Sequence, residues 1–454
     1  MLQKEERLGK APVGKLMVSL AIPAVIAQLI NVLYNIVDRI YIGHIPEIGD
    51  IALTGVGVTF PIVLLIAAFS YFVGMGGAPL ASIKLGQQNH KAAEKILSNG
   101  FTILLFFSIV LTVIFLMFKQ PLLYLFGASN ASYPYANQYI TIYVLGTVFV
   151  QMALGLNSFI SAQGFAKTAM LSVLIGAVTN IVLDPIFIFI FQMGVQGAAL
   201  ATIISQALSA IWVIAFLTSS KSQLKIRFCL MKPDKTILKA IAGLGISPFI
   251  MQSTESLISL VFNAGLQHYG NDLYVGSMTI MLSIMQLIVI PLNGITQGAQ
   301  PVISYNYGAK QYKRVRKASK LMVISTFCFA TVTCTIAILF PQLFAQMFTQ
   351  EPELLHLTQK LMPIYLAGVW IFGAQQGCQG VFLALGQAKT SVFIALLRKV
   401  ILLVPFAFIL PVFFGVNGII FAEPIADIIA ACTTLVLFAI TYKKLLYPKE
   451  EIPQ

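Results

Sequence analysis

The chain is short of charge. Only 10% of its 454 residues are Asp, Glu, Lys or Arg, where soluble proteins carry roughly a quarter. So few charges cannot cover a water-facing surface. That excludes the row of about three soluble domains that the length alone would allow. Cysteine and histidine are scarce too, at five and four residues. Cys229, Cys328, Cys334, Cys378 and Cys432 are odd in number and form no Cys-x-x-Cys, so neither a disulfide framework nor a thiolate metal site is expected. His44, His90, His268 and His356 all fall outside the apolar runs, and no nucleophile motif is present, so an enzyme is not expected. The N-terminal tail is charged and the first apolar run has full membrane length without a small-residue cleavage site, so no cleavable signal peptide is expected.

What is abundant is hydrophobic residues, at 58% of the chain, with a mean hydropathy of +0.87. A helix needs about 20 mostly apolar residues to cross a bilayer core. Twelve such runs can be read, at about 16–42, 52–80, 95–118, 137–162, 167–190, 195–219, 240–266, 272–300, 318–340, 357–384, 389–414 and 417–442. The expected fold is an all-α polytopic membrane protein with 12 transmembrane helices. No segment is left for a sizeable soluble domain.

The net charge of +13 comes from 29 basic against 16 acidic residues. With the N-terminus placed inside, the inner segments hold 24 of the basic residues. The outer ones hold two, Lys119 and Lys360, and Arg39, Arg398 and Lys399 lie within spans. Basic residues favour cytoplasmic loops. The split therefore predicts a multi-pass protein of the plasma (inner) membrane with both termini cytoplasmic. It accounts for the excess charge without any nucleic acid.

The chain repeats itself. Pro79-x-x-Ser82-x-x-x-Gly86 after span two recurs as Pro301-x-x-Ser304-x-x-x-Gly308 after span eight, 222 residues later. Ile142-Tyr143-x-x-Gly146 recurs at the same offset as Ile364-Tyr365-x-x-Gly368, and Gly164-Phe-Ala-Lys-Thr168 as Gly386-Gln-Ala-Lys-Thr390. Gly194-Val-x-Gly197 recurs one residue off, as Gly415-Val-x-Gly418. Six spans return the chain to its starting side, so the halves are expected to run parallel, about an axis along the membrane normal. They are placed at 1–220 and 240–454, with a cytoplasmic linker at 221–239. Secondary transporters dominate such two-halved architectures, and they place substrate between the halves.

Ionisable residues inside spans are costly, and each is a functional hypothesis. Asp38, Asp184, Glu255, Glu423 and Asp427 qualify. Spacings of three, four and seven put Asn31, Tyr34, Asn35 and Asp38 on one face of span one. Asn180 and Asp184 share a face of span five. At 1.5 Å per residue, Asp184 lies about 25 Å and Asn180 about 20 Å along span five from the inner side, and Thr202 about 10 Å below the outer surface on span six. With Asp38 near the outer end of span one, the four meet at one depth. Such an oxygen-rich pocket suits Na⁺, and two nearby carboxylates can instead share a proton. The competing readings are an Asp38–Arg39 pair, a plain kink at Asp184-Pro185, and an ordinary helix contact at Thr202.

In the second half, Glu255 shares span seven with Gln252 and has no evident partner, which makes it the better candidate for cation coupling. Glu423 and Asp427 lie one turn apart on span twelve. Arg398 reaches the depth of Asp427, so a buried Asp427–Arg398 pair is expected. Met278, Met281 and Met285 form a stripe on span eight. Packing is the preferred reading of the stripe, although soft Met walls also suit an apolar-cation cavity. Asn31, Met281, Met285, Gln286 and Gln375 are the candidates for lining a substrate cavity.

The two six-span halves, Asp38-Arg-Ile-Tyr-Ile-Gly43, the repeated Pro-x-x-Ser-x-x-x-Gly and Asn180-x-x-x-Asp184-Pro185 together resemble the multidrug and toxic compound extrusion (MATE) family, prokaryotic type, over essentially the whole chain. The resemblance implies a V-shaped transporter of two six-helix lobes. It implies antiport, by alternating access, of cationic or amphiphilic drugs against inward Na⁺ or H⁺, with no other cofactor. It matches Asp38, Asn180, Asp184 and Thr202, with Tyr34 and Asn35 nearby, to the first-lobe cation site. It matches Glu255 to the span-seven acid of a branch with a second-lobe site. That branch also has an acid in span ten, where this chain offers only Gln375, Gln376 and Gln379. A lipid-linked precursor flippase on a related scaffold is the alternative. The protein is expected to act as a monomer in the lipid bilayer.

Overall fold

The computed structural model describes residues 7–446, less the side chains at positions 256, 259, 260, 263 and 272. The described residues are helical, with no strand among them. Spans one to three are Val13–Gly43, Gly49–Gly86 and His90–Leu125, and span four is Tyr133–Leu145 with Thr147–Ala162. Span five is Ala166–Pro185 continued by a π-turn at Ile186–Ile190, and span six is Gly194–Thr218. Spans seven to nine are Lys235–Tyr269, Asp272–Gly308 and Tyr312–Leu339. Span eleven is Ala388–Leu396, a π-turn at Leu397–Leu403, and Val404–Phe414; span twelve is Val416–Leu446.

The expected count of twelve is not met by length and apolarity. Ten helices pass on those grounds, and span four adds an eleventh as a pair bent by 58°. The run expected at 357–384 is instead divided into Pro352–Tyr365 and Val369–Ala384 by a 3₁₀ turn at Leu366–Gly368. Both breaks fall on the repeated Ile-Tyr-x-x-Gly, at Gly146 and Gly368. A Cβ on Gly146 would run into the Ile203 side chain of span six. A Cβ on Gly368 would stand 2.9 Å from the Pro424 carbonyl oxygen of span twelve. The break thus lets one helix approach another closely, in the same way in each repeat. Gly194 and Gly415, which open spans six and twelve, have φ of +54° and +57°. Glycine adopts this left-handed region without the steric penalty that a Cβ brings.

The described chain forms two compact units. Unit 1 holds Ile26–Gln252; unit 2 holds Arg7–Val25 and the chain from Ser253 on. Spans one and seven are therefore each shared. The division falls close to Pro23 in span one and Pro248 in span seven, and proline is a usual cause of helix kinks. The segment expected as a linker, 221–239, lies wholly inside unit 1. In unit 1, span two receives the first half of span seven: a Cβ on Gly76 would meet the Ile241 carbonyl oxygen at 2.5 Å. In unit 2, span eight receives the first half of span one: a Cβ on Gly294 would meet the Val25 Cα at 2.6 Å, and Gly298 is as close to Ala21.

Each unit has its own apolar core. Unit 1 buries Ile42, Ile62, Ile66, Tyr139 and Ile140, and unit 2 buries Phe262, Met278, Met281, Tyr365 and Phe372. Phe106, Ile109, Val113 and Met117 form an exposed stripe on span three at spacings of three and four, as a helix surface facing lipid requires.

Candidate functional site

Span one carries Asp38 into unit 1 with only 8% of its surface exposed, although Arg39 follows directly. Successive helical residues point about 100° apart. Arg39 turns to the Phe60 ring, 5.0 Å from its centroid, which leaves Asp38 facing the interior. Span five supplies Asn180 and Asp184, one turn apart and buried. Span six supplies Thr202, also buried.

The four meet. Asn180 Nδ2 donates to Asp184 Oδ1 at 3.1 Å and approaches Thr202 Oγ1 at 3.4 Å. Asp38 and Asp184 lie within hydrogen-bonding reach of each other. Three acceptor oxygens, Asp38 Oδ1, Asn180 Oδ1 and Asp184 Oδ2, are buried without a hydrogen-bond partner. Buried acceptors are ordinarily satisfied. Three orphans together on two acids and an amide make a donor set that fits a small hard cation or a proton.

The outer face of span one contributes less. Tyr34 is half-buried within electrostatic reach of Asp38 and Asp184, and its hydroxyl contacts the Asn35 side chain. Asn35 itself is exposed and donates to the Asn31 carbonyl at 2.6 Å, a bond within the helix. Asn31 is partly buried. Two further tyrosines belong to the site and had no separate signal in the polar inventory. Tyr139 contacts Thr202 and feels Asp38, and Tyr143 stacks beside it at 6.1 Å. The spacing of four to Tyr143 of the repeated motif is the trace that pointed to Tyr139.

Unit 2 is arranged differently. Arg398 Nε donates to Asp427 Oδ1 at 2.5 Å, the expected pair, and Arg398 Nη2 to Glu423 Oε1 at 3.0 Å. Its guanidinium lies 4.3 Å from the Phe372 ring centroid. Glu255, expected without a partner, is held by Lys399 Nζ at 2.8 Å. Gln252 is the last residue of unit 1 and is partly buried. Met281 and Met285 belong to the apolar core of unit 2, which removes them from a cavity wall. Gln286 is exposed. Gln375 is buried with its Oε1 unpartnered, Gln376 donates to Asn293 at 2.7 Å, and Gln379 donates to Ser391 Oγ at 2.8 Å.

The same chain matches a family model, MatE, over residues 23–186 and 248–409. The chain belongs to the MatE family. Each matched segment falls in one repeat. Among its relatives in that family is the multidrug export protein MepA of Staphylococcus haemolyticus (strain JCSC1435), 26% identical over 440 residues and 96% of each chain. MepA of Staphylococcus aureus (strain NCTC 8325 / PS 47) is 25% identical over 452 residues and 99% of each chain. Among solved structures, a MATE transporter in complex with MaD3S superimposes with a TM-score of 0.89 at 22% identity, covering 97% of this chain and 99% of that one. An outward-facing multidrug resistance MATE family transporter does so with 0.89 at 22%, covering 97% and 98%. These superpositions carry the fold, that of a multi-pass, all-α member of the MatE family.

Proposed function

We propose that the protein is a secondary active exporter of cationic or amphiphilic small molecules, driven by inward movement of Na⁺ or H⁺ through the Asp38–Asp184 site. Both relatives above are multidrug export proteins. The observation that carries the coupling site is the trio of orphaned oxygens on Asp38, Asn180 and Asp184. An inward-moving ion satisfies them, neutralises the acid pair, and repacks the half of span one that carries Asp38. The kink position near Pro23 places a pivot between that half and the half belonging to unit 2. Cargo affinity then differs between the two states, as alternating access requires. Both termini face the cytoplasm in this reading, the protein works as a monomer in the plasma membrane, and no catalytic step is involved.

The flippase alternative needs free basic groups in the membrane to hold a pyrophosphate. Arg398 and Lys399 are both engaged by acids, which speaks against it. The test is transport of ethidium in proteoliposomes, with Na⁺ and pH gradients imposed separately. One gradient is expected to drive efflux, and Asp38→Asn to abolish the response. Undiminished export by that variant refutes the coupling site.

A further inference from the structure

Unit 2 holds a charge cluster that the cation site does not use. Arg398 and Lys399 occupy the π-turn Leu397–Leu403, a kind of helix distortion frequent at functional positions. Around them stand Glu255, Glu423 and Asp427, so three acids face two bases. The side chains of Arg398, Glu423 and Asp427 are 7%, 9% and 2% exposed. Glu255 is 52% exposed and has Lys399 to itself as a hydrogen-bond partner. The surplus negative charge therefore sits at Arg398, where one guanidinium serves two buried carboxylates.

A buried charge without compensation is strongly unfavourable. Asp427 takes the shorter bond, 2.5 Å against 3.0 Å, and is the more deeply buried, so it is the acid that Arg398 neutralises. Glu423 is left over. Next to it is a second, independent sign of an unfilled need. The Tyr365 hydroxyl is buried, has no hydrogen-bond partner, and lies within electrostatic reach of Glu423, Asp427 and Glu255.

We propose that Glu423 is a second proton-binding site, and that its proton brings the cluster to neutrality. A metal ion fits poorly, because the guanidinium and ammonium already at the carboxylates repel it. A proton sits on the Glu423 oxygen itself. One oxygen keeps the bond from Arg398, and the neutral acid can donate to the orphaned Tyr365 hydroxyl. The groups that face Glu423 are Arg398 and Lys399 from span eleven, Asp427 from its own helix, Glu255 from span seven and Tyr365 from span ten. Lys399 feels Glu423 as well as Glu255. Loss of the proton draws Lys399 toward Glu423 and releases Glu255, the half-exposed acid of the cluster. The site is independent of coupling at Asp38 and Asp184, since both units can be tested apart.

The test uses infrared difference spectra of the full chain carrying Asp38→Asn and Asp184→Asn, which silence the unit 1 acids. The expected result at about pH 7 is a C=O band of a neutral carboxylic acid, shifted in D₂O and lost on further Glu423→Gln. No such band, its survival in Glu423→Gln, or its disappearance on addition of Na⁺ overturns the proposal. Asp427→Asn hands Arg398 to Glu423 and is also expected to remove the band. Gln has the shape and charge of the protonated acid, so Glu423→Gln is expected to melt with its parent. A Glu423→Gln protein that unfolds where the parent is folded shows an ionised group and also overturns it.

Discussion

Span five of unit 1 brings Asn180 and Asp184 to Asp38 with no base engaged among them, whereas span eleven of unit 2 brings Arg398 and Lys399 among three acids. The backbones are repeats of each other. At the offset of 222 residues, Asn180 and Asp184 correspond to Leu402 and Phe406, and Arg398 to Gly176. At the offset of 221 that relates Gly194 to Gly415, Thr202 corresponds to Glu423. One scaffold thus carries two electrostatic solutions. In unit 2 the positive charge is covalently attached and cannot leave. In unit 1 the oxygens wait for a charge that can. Only the second arrangement suits an exchangeable coupling ion.

The largest expected effect tests that division directly. Asp184→Asn removes half of the acid pair, and ion-driven efflux is expected to fall roughly 5- to 150-fold, the range of ordinary coupling energies. Folding is expected to survive, because no base in unit 1 loses its partner. Arg398→Met is expected to do the reverse. It strands Asp427 beside Glu423, at a cost of about 3–5 kcal/mol, read as a lowered melting temperature. The double replacement Arg398→Met with Asp427→Leu is expected to recover most of the loss. If Asp184→Asn destabilised the protein as much as Arg398→Met, the contrast between the units would collapse.

A smaller effect sharpens the comparison at the two helix breaks. Gly368→Ala drives a Cβ against the Pro424 backbone oxygen at 2.9 Å, which cannot move away. Overpacking of this kind costs about 1–3 kcal/mol. Gly146→Ala meets only the Ile203 side chain, which can change rotamer, so its effect on melting is expected to be the lesser of the two.

Much of the first site was legible because helix geometry is simple. A rise of 1.5 Å per residue put Asp38, Asn180, Asp184 and Thr202 at one depth on three spans, and these are the residues that meet. Depth says nothing about azimuth, however. Lys399 follows Arg398 and reaches the level of the span-twelve acids. Its direction, set within the π-turn, takes it to Glu255 instead. Tyr139 was missed because one phenol in an apolar run looks like packing until Thr202 is beside it. The exchange of helix halves between units left no trace in composition, because both halves of spans one and seven are equally apolar. Pro23 and Pro248, together with the glycines of spans two and eight, were its only marks.

The smallest effect concerns how each unit holds the segment leading into its exchanged helix half. In unit 2, Arg314 donates to the backbone carbonyls of Leu8 at 3.1 Å and Ala11 at 2.7 Å, groups that do not titrate near neutrality. In unit 1, Gln163 Oε1 accepts from the Gln223 and Leu224 amides at 2.8 and 3.0 Å, and Asn99 Oδ1 from the Asp234 amide at 2.8 Å. The ion pair of Lys95 with Asp234 at 2.6 Å completes that clasp. The Lys95 ammonium, and then the Thr236 amide, hold the Asp234 carboxyl below its ordinary value of 3.8. A carboxyl depressed in the folded state adds stability above its unfolded value and loses it as the pH falls through the folded one. Hydrogen exchange along residues 222–234 is therefore expected to be faster in Asp234→Asn than in the parent at about pH 7. The difference is expected to close in acid, while exchange at Leu8 to Ala11 does not respond to the substitution. Equal exchange in parent and variant at neutral pH would show that the amide bonds alone hold the clasp, and the two units would then differ only in the membrane.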